Sequence, residues 1–182
     1  MFYQLASVVL DVLAGLVAGV CLLRLAMQWQ RIPFQSPLGR FVFAMTDWLV
    51  LPLRRVLPAW RALDAASLLA AWLIKLVQFV LLWLLAGAHG PVTLLPVAAS
   101  LGLMQLLVSA LSALVLVYAL LSWLQPGAYM HHLAGRLCEP WLDPIRRIIP
   151  LIGGMDLSPL AMLLLLQMVG IVLAHLMRGI FV

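Results

Sequence analysis

The sequence predicts an all-α integral membrane protein, a bundle of four transmembrane helices built as two tandem helical hairpins. Three observations carry this. Of 182 residues, 66% are hydrophobic and only 9% are charged, with a mean hydropathy of +1.15. A soluble domain usually holds about 25% charged residues. The apolar residues gather into four runs, each long enough to cross a ~30 Å hydrocarbon core. The second half of the chain also repeats the first.

The first run extends from about Gln4 to Met27, with Asp11 and Arg24 inside it. It carries no Lys or Arg before its apolar stretch and is too long for a signal-peptide core, so a retained helix is expected. Ala14, Gly15, Ala18 and Gly19 make small-xxx-small pairs that favour close approach of another helix. Arg24 is expected to snorkel to the surface.

From Gln28 to Leu63 the pattern changes. Pro33, Pro37, Pro52 and Pro58 argue against one continuous helix. Leu38, Phe41, Val42, Met45, Trp48 and Leu49 recur at helical spacing, which predicts a short amphipathic interfacial helix with Trp48 at headgroup level.

The second run extends from about Ala65 to Ala88 and the third from about Val97 to Leu124. The third is longer than one crossing needs and is expected to tilt or fray. Between Gln125 and Met155, Tyr129, Leu133, Leu137 and Trp141 suggest a second, weaker interfacial helix. The fourth run extends from about Leu157 to Met177, opened by Asp156 and Ser158-Pro159, a start signal in which serine caps and proline takes the first helical position. Asp64 opens the second run in the same way.

Basic residues set the orientation. Arg31, Arg40, Arg54, Arg55 and Arg61 lie between runs one and two. Arg136, Arg146 and Arg147 lie between three and four, and the turn between two and three has none. Both arginine segments are expected to face the cytoplasm and both termini the periplasm or exterior. The net charge of +5 is spread near segment ends, where it meets anionic headgroups rather than nucleic acid. Cys21 and Cys138 form no CxxC pattern and read as two separate free thiols.

One offset relates the halves. At 92 residues, Pro52 matches Pro144, Arg54 matches Arg146, Arg55 matches Arg147, Pro58 matches Pro150 and Asp64 matches Asp156. Asp47 meets Glu139, and Trp29 matches Trp123 if one copy carries a small insertion. Each repeat, 1–92 and 93–182, is therefore a helix, an amphipathic segment, a P-x-R-R-x-x-P loop, an aspartate and a helix. Each crosses twice, so the two share one orientation about an axis along the membrane normal.

The second copy, PIRRIIPLIGGMDLSPLAMLLLL, resembles the signature of the YggT (YlmG-like) family of small bacterial and plastid membrane proteins. The first, PLRRVLPAWRALDAASLL, resembles a degenerate copy, as in two-repeat members. It lacks the Gly-Gly turn and replaces Leu-Ser-Pro with Ala65-Ala66-Ser67. The resemblance implies a multi-pass protein of the bacterial inner (plasma) membrane. It further implies links to osmotic or ion tolerance and to cell division, with complex assembly in plastids. It carries over no catalytic residue.

Two groups of residues are candidates for function. Arg54, Arg55, Arg146 and Arg147, with Asp64, Asp156 and Ser158, are candidates for docking an anionic headgroup or a partner's carboxylate through forked hydrogen bonds. Ordinary interfacial anchoring of the arginines and helix capping by the acidic and serine residues are the plainer explanations. Lys75 lies about mid-membrane, where a lysine costs about 2.5–3.5 kcal/mol unless partnered. Asp11 is its nearest acidic candidate, Gln78 lies one turn on, and the repeat places Gln167 at the equivalent point. These four either line an ion or proton pathway or serve helix packing. No enzyme motif appears, and neither a metal nor any other cofactor is expected. The expected role is a non-enzymatic scaffold or assembly factor whose partners are membrane lipids, a membrane protein or further copies of itself. A small ion channel or transporter is the alternative.

Overall fold

The computed structural model describes residues 2–32, 37–56, 64–88, 91–124, 129–147 and 156–181. The elements among them are all helical. In order they are α1 (Phe2–Trp29), α2 (Pro37–Val56), α3 (Ala65–Leu85), a single 3₁₀ turn at Val92–Leu94, α4 (Leu95–Leu124), α5 (Tyr129–Arg146) and α6 (Ser158–Phe181). By length and composition, α1, α3, α4 and α6 can each cross a membrane. Their apolar side chains turn outward: Leu5, Val8, Val12 and Leu16 of α1 are all more than half exposed. In water that surface would aggregate, whereas in hydrocarbon it is the solvent-facing side.

The chain divides into two compact units, Met1–Leu106 with Met177–Val182, and Leu107–Leu176. In the first, α1 packs along α3 and α2 lies against both. Ala18, Cys21 and Leu22 of α1 meet Ala66, Ala70 and Ala71 of α3, and Val50 of α2 closes the cluster. Small side chains on both helices let the backbones approach. The strip of small residues on α1 is divided: Ala18 is in this seam, Gly15 faces Leu106 of α4, and a side chain at Gly19 would meet open space. In the second unit, Val115 of α4, Cys138 and Leu142 of α5, and Met162 and Leu166 of α6 form the core.

Two helix ends show why the polypeptide turns where it does. After α1, the Ile32 N–H bonds the Met27 carbonyl and the Arg31 N–H bonds that of Gln28, with Arg31 at φ 52°. After α3, the Ala88 and Gly87 N–H groups bond the carbonyls of Trp83 and Leu84, with Gly87 at φ 88°. Both are Schellman ends, and the first seals with buried Met27 and Ile32.

The amphipathic segments are helices, as their spacing predicts. The expected P-x-R-R-x-x-P loops are different. Pro52 lies inside α2, and Pro140 and Pro144 lie inside α5. Arg54 and Arg55 occupy the last turn of α2, and Arg146 ends α5. Each proline removes one backbone bond, but flanking apolar residues keep the helix going: Val50 and Leu53 join one core, and Leu142 and Ile145 join the other. Cations in a last turn also suit the helix dipole. Pro33, Pro58, Arg61, the Gly153-Gly154 turn and Pro150 lie outside the described residues.

Candidate functional site

The arginine-bearing end of the first unit is built from three helices. Arg24, near the end of α1, is fully buried. Its Nη1 donates to Thr46 Oγ1 and to Asp47 Oδ1, both at 2.7 Å, and its guanidinium lies 4.3 Å above the Phe43 ring. The expected snorkelling is therefore incorrect. The polar groups that α2 lays across the end of α1 give the guanidinium a partner where it stands, so it need not reach for water.

Asp64 lies at the N-cap position of α3 with its side chain 1% exposed. Its carboxylate does not cap the helix. Oδ2 accepts from Arg54 Nη2 at 2.7 Å and from Ser67 Oγ at 2.6 Å, and Arg24 Nε stands 4.0 Å away. Burial alone would raise its pKa, but the hydrogen bonds from Arg54 and Ser67 and the two guanidinium charges win and hold it below the usual carboxylate value.

The second unit builds a lighter version. Arg146 Nε donates to Asp156 Oδ2 at 3.0 Å, and its Nη2 donates to the Tyr118 hydroxyl at 2.8 Å. Tyr118 is on α4, and its ring stacks on His131 at 5.3 Å. The other carboxylate oxygen of Asp156 accepts the Ser158 backbone N–H at 2.9 Å. So Asp156 caps α6, and Ser158 is its first helical residue rather than the cap. Burial opposes ionisation of Asp156 as well. Hydrogen bonds from Ser158 and Arg146 again prevail, and its pKa is lowered. Burial pushes the nearby Cys138 thiol up to about 12, which leaves it protonated and unreactive.

The two members of each arginine pair are not alike. Arg54 and Arg146 are held by aspartates. Arg55 and Arg147 are exposed, with no carboxylate within ion-pair reach among the described residues.

The intramembrane candidates divide too. In the first unit, Lys75 Nζ donates to Gln78 Oε1 at 2.8 Å, and Gln78 Nε2 donates to Asp11 Oδ1. Lys75 and Gln78 are buried while Asp11 is exposed on α1. The glutamine thus bridges the charges that the sequence would pair directly. Gly102 of α4 packs where a Cβ would lie 2.6 Å from the Phe79 ring and 3.8 Å from the Lys75 stem. Gln167 is exposed on α6 in the second unit and extends no such chain. A groove of about 260 Å³ runs beside Gln78, between Leu10, Ala14, Trp48, Ile74 and Leu81. No three His, Cys, Asp or Glu side chains among the described residues are placed to hold a metal ion.

Sequence reasoning missed the parts played by Thr46, Asp47 and Tyr118. A basic residue inside an apolar run implies a partner, and Arg24 is the feature of the sequence that points to Asp47.

Comparison with known proteins places this sequence among relatives. The model of the CCB3/YggT family matches residues 3–85 and again 97–177. The uncharacterized protein YggT of Escherichia coli K12 is 35% identical over 164 residues, covering 88% of this chain and 84% of its own. An uncharacterized protein encoded in the proC 3′ region of Vibrio alginolyticus is 36% identical over 168 residues, covering 88% and 89%. An uncharacterized protein of Pseudomonas aeruginosa is 33% identical over 168 residues, covering 90% and 85%. No solved structure matches.

Proposed function

The chain belongs to the CCB3/YggT family of membrane proteins, and from that premise we propose that it is a non-enzymatic scaffold or assembly factor of the cell envelope. It resides in the bacterial inner (plasma) membrane with both termini periplasmic or extracellular and both arginine ends cytoplasmic. Its role is linked to osmotic or ion stress tolerance or to cell division.

The observation that carries this reading is the division within each arginine pair. Arg54 and Arg146 fix the amphipathic helix to the start of the next span through Asp64 and Asp156. That leaves Arg55 and Arg147 presented from a braced helix end, with their forks open to an anionic headgroup or a partner's carboxylate. A pre-positioned fork binds with less loss of side-chain freedom than one on a free loop.

Photocrosslinking residues at positions 55 and 147 in native membranes test this. The expected result is a crosslink to anionic lipid or to one discrete membrane protein, lost when the neighbouring latch aspartate is changed to alanine. Labelling no different from that at a lipid-facing position such as Val12 would contradict it.

A second reading, a small ion channel or transporter, is supported by the Lys75–Gln78–Asp11 chain. Buried polar links at that depth mark ion and proton routes in many membrane proteins. Lys75→Leu separates the two. Loss of ion flux in vesicles with intact insertion favours a pathway, and unchanged flux returns the chain to helix packing.

A further inference from the structure

We propose that this protein pairs with a second copy of itself along one face of α6, with Gln167 of each copy bonded to Gln167 of the other. Gln167 lies nine residues beyond Ser158, the first residue of α6. At 1.5 Å per residue that is about 14 Å into a ~30 Å hydrocarbon core. The side chain is exposed, and among the described residues no group hydrogen-bonds its carboxamide. Its length does not bring it to either interface.

A primary amide carries two donors and an acceptor oxygen. Lipid tails satisfy none of them, and an unmet polar group in hydrocarbon is strongly disfavoured. The rest of the face makes no such demand. Leu160, Leu164 and Ile171, exposed by 59, 60 and 70%, share the side of the helix that Gln167 occupies. The spacing 160, 164, 167, 171 alternates four and three, the register of a seam between two helices. One polar residue within an apolar seam is the pattern that fixes register.

The occupant follows from chemistry. The partner must present a donor and an acceptor together, at this same depth, on a face that is otherwise apolar. A second copy in the same membrane does so by construction. Its amide lies at the same height, and each amide donates to the oxygen of the other. The contact is self-complementary about a two-fold axis and therefore closes at two copies. Interhelical amide bonds of this kind drive association of membrane helices where apolar contact alone does not. The pairing uses none of the groups at the arginine ends and stands apart from the docking role proposed for them.

Disulfide scanning of the full-length protein in native membranes tests the inference. Cys21 and Cys138 are first replaced by alanine. Single cysteines are then placed on the seam, as Leu164→Cys and Ile171→Cys, and on the opposite side of the same helix, as Leu165→Cys and Val169→Cys, which are also exposed. The expected result is self-crosslinking at 164 and 171, about tenfold stronger than at 165 and 169. Adding Gln167→Leu should lower the yield at 164 severalfold, and Gln167→Asn should largely keep it. Gln167→Val is a second apolar variant should the leucine form accumulate poorly. Equal yields at all four positions would overturn the proposal. So would yields indifferent to Gln167→Leu, or a crosslink at 164 to a different protein with none to itself.

Discussion

The arginine ends of the two units share one spacing and differ in what surrounds it. In both, an arginine at the close of an amphipathic helix meets an aspartate at the start of the next span, at 2.7 Å for Arg54 and Asp64 and 3.0 Å for Arg146 and Asp156. The third member differs. With the offset that matches Trp29 to Trp123, Arg24 corresponds to Tyr118. The first unit thus gathers two guanidinium groups at a sealed carboxylate and balances the extra charge with Asp47. The second replaces the extra guanidinium with a neutral hydroxyl, and its carboxylate remains a quarter exposed, with side-chain exposure of 26%. The same motif has become a buried ionic core in one unit and a surface latch in the other.

If burial decides the strength of each latch, the largest effect belongs to Asp64→Ala. It removes the carboxylate that Arg54 pairs with and one of the two that face the fully buried Arg24, leaving Arg24 with Asp47 alone, which should cost about 3–5 kcal/mol. Thermal unfolding of the purified protein should show a large fall. The matched change Asp156→Ala should cost only ~1 kcal/mol, since exposed pairs are screened. Equal losses would show that burial does not set the strength of the two latches.

Next in size is Gly102→Ala, which touches neither latch. Its new methyl would press on the Phe79 ring, and overpacking of this kind costs about 1–3 kcal/mol. Denaturation in detergent should report it, with both latches intact as the internal control.

Tyr118→Phe should cost about 0.5–1.5 kcal/mol, because it removes one hydrogen bond from Arg146. Coupling to Asp156→Ala in a double-mutant cycle would locate that loss in the latch.

Acid response sharpens the contrast further. The folded-state pKa of Asp64 and Asp156 is lowered in each case. Their stabilising contributions are therefore complete above the ordinary carboxylate range and are lost as pH falls through the depressed folded values. Stability should hold from neutral pH down to that range and drop below it. Asp64→Asn should flatten the drop more than Asp156→Asn.

Much of this was legible in the sequence. Four apolar runs and one internal offset define the spans, since lipid solvation demands long apolar helices and leaves little else. The amphipathic segments could be read from the spacing of Phe41, Val42, Met45 and Trp48. Prolines misled the reading of the arginine motif. A rule against proline in helices counts the lost backbone bond and not the burial of Val50 and Leu142, which lie two residues before Pro52 and Pro144. Arg24 misled for a related reason. Snorkelling assumes that the nearest polar environment is water, whereas here it is Thr46 and Asp47, twenty-two and twenty-three residues away along the chain. Gln78 as bridge between Lys75 and Asp11 needed the facing of α1 and α3, which sequence spacing alone does not supply.

The most direct measurement is a set of four single variants, Arg54→Ala, Arg55→Ala, Arg146→Ala and Arg147→Ala, each assayed for thermal stability and for anionic lipid or protein retained on purification from native membranes. The four variants should fall into two pairs. Arg54→Ala and Arg146→Ala lose stability, the first by more, while Arg55→Ala and Arg147→Ala unfold like the parent and lose the retained ligand. Four variants that change stability and retention together, or an Arg55→Ala and Arg147→Ala pair indistinguishable from the parent in both, would contradict it.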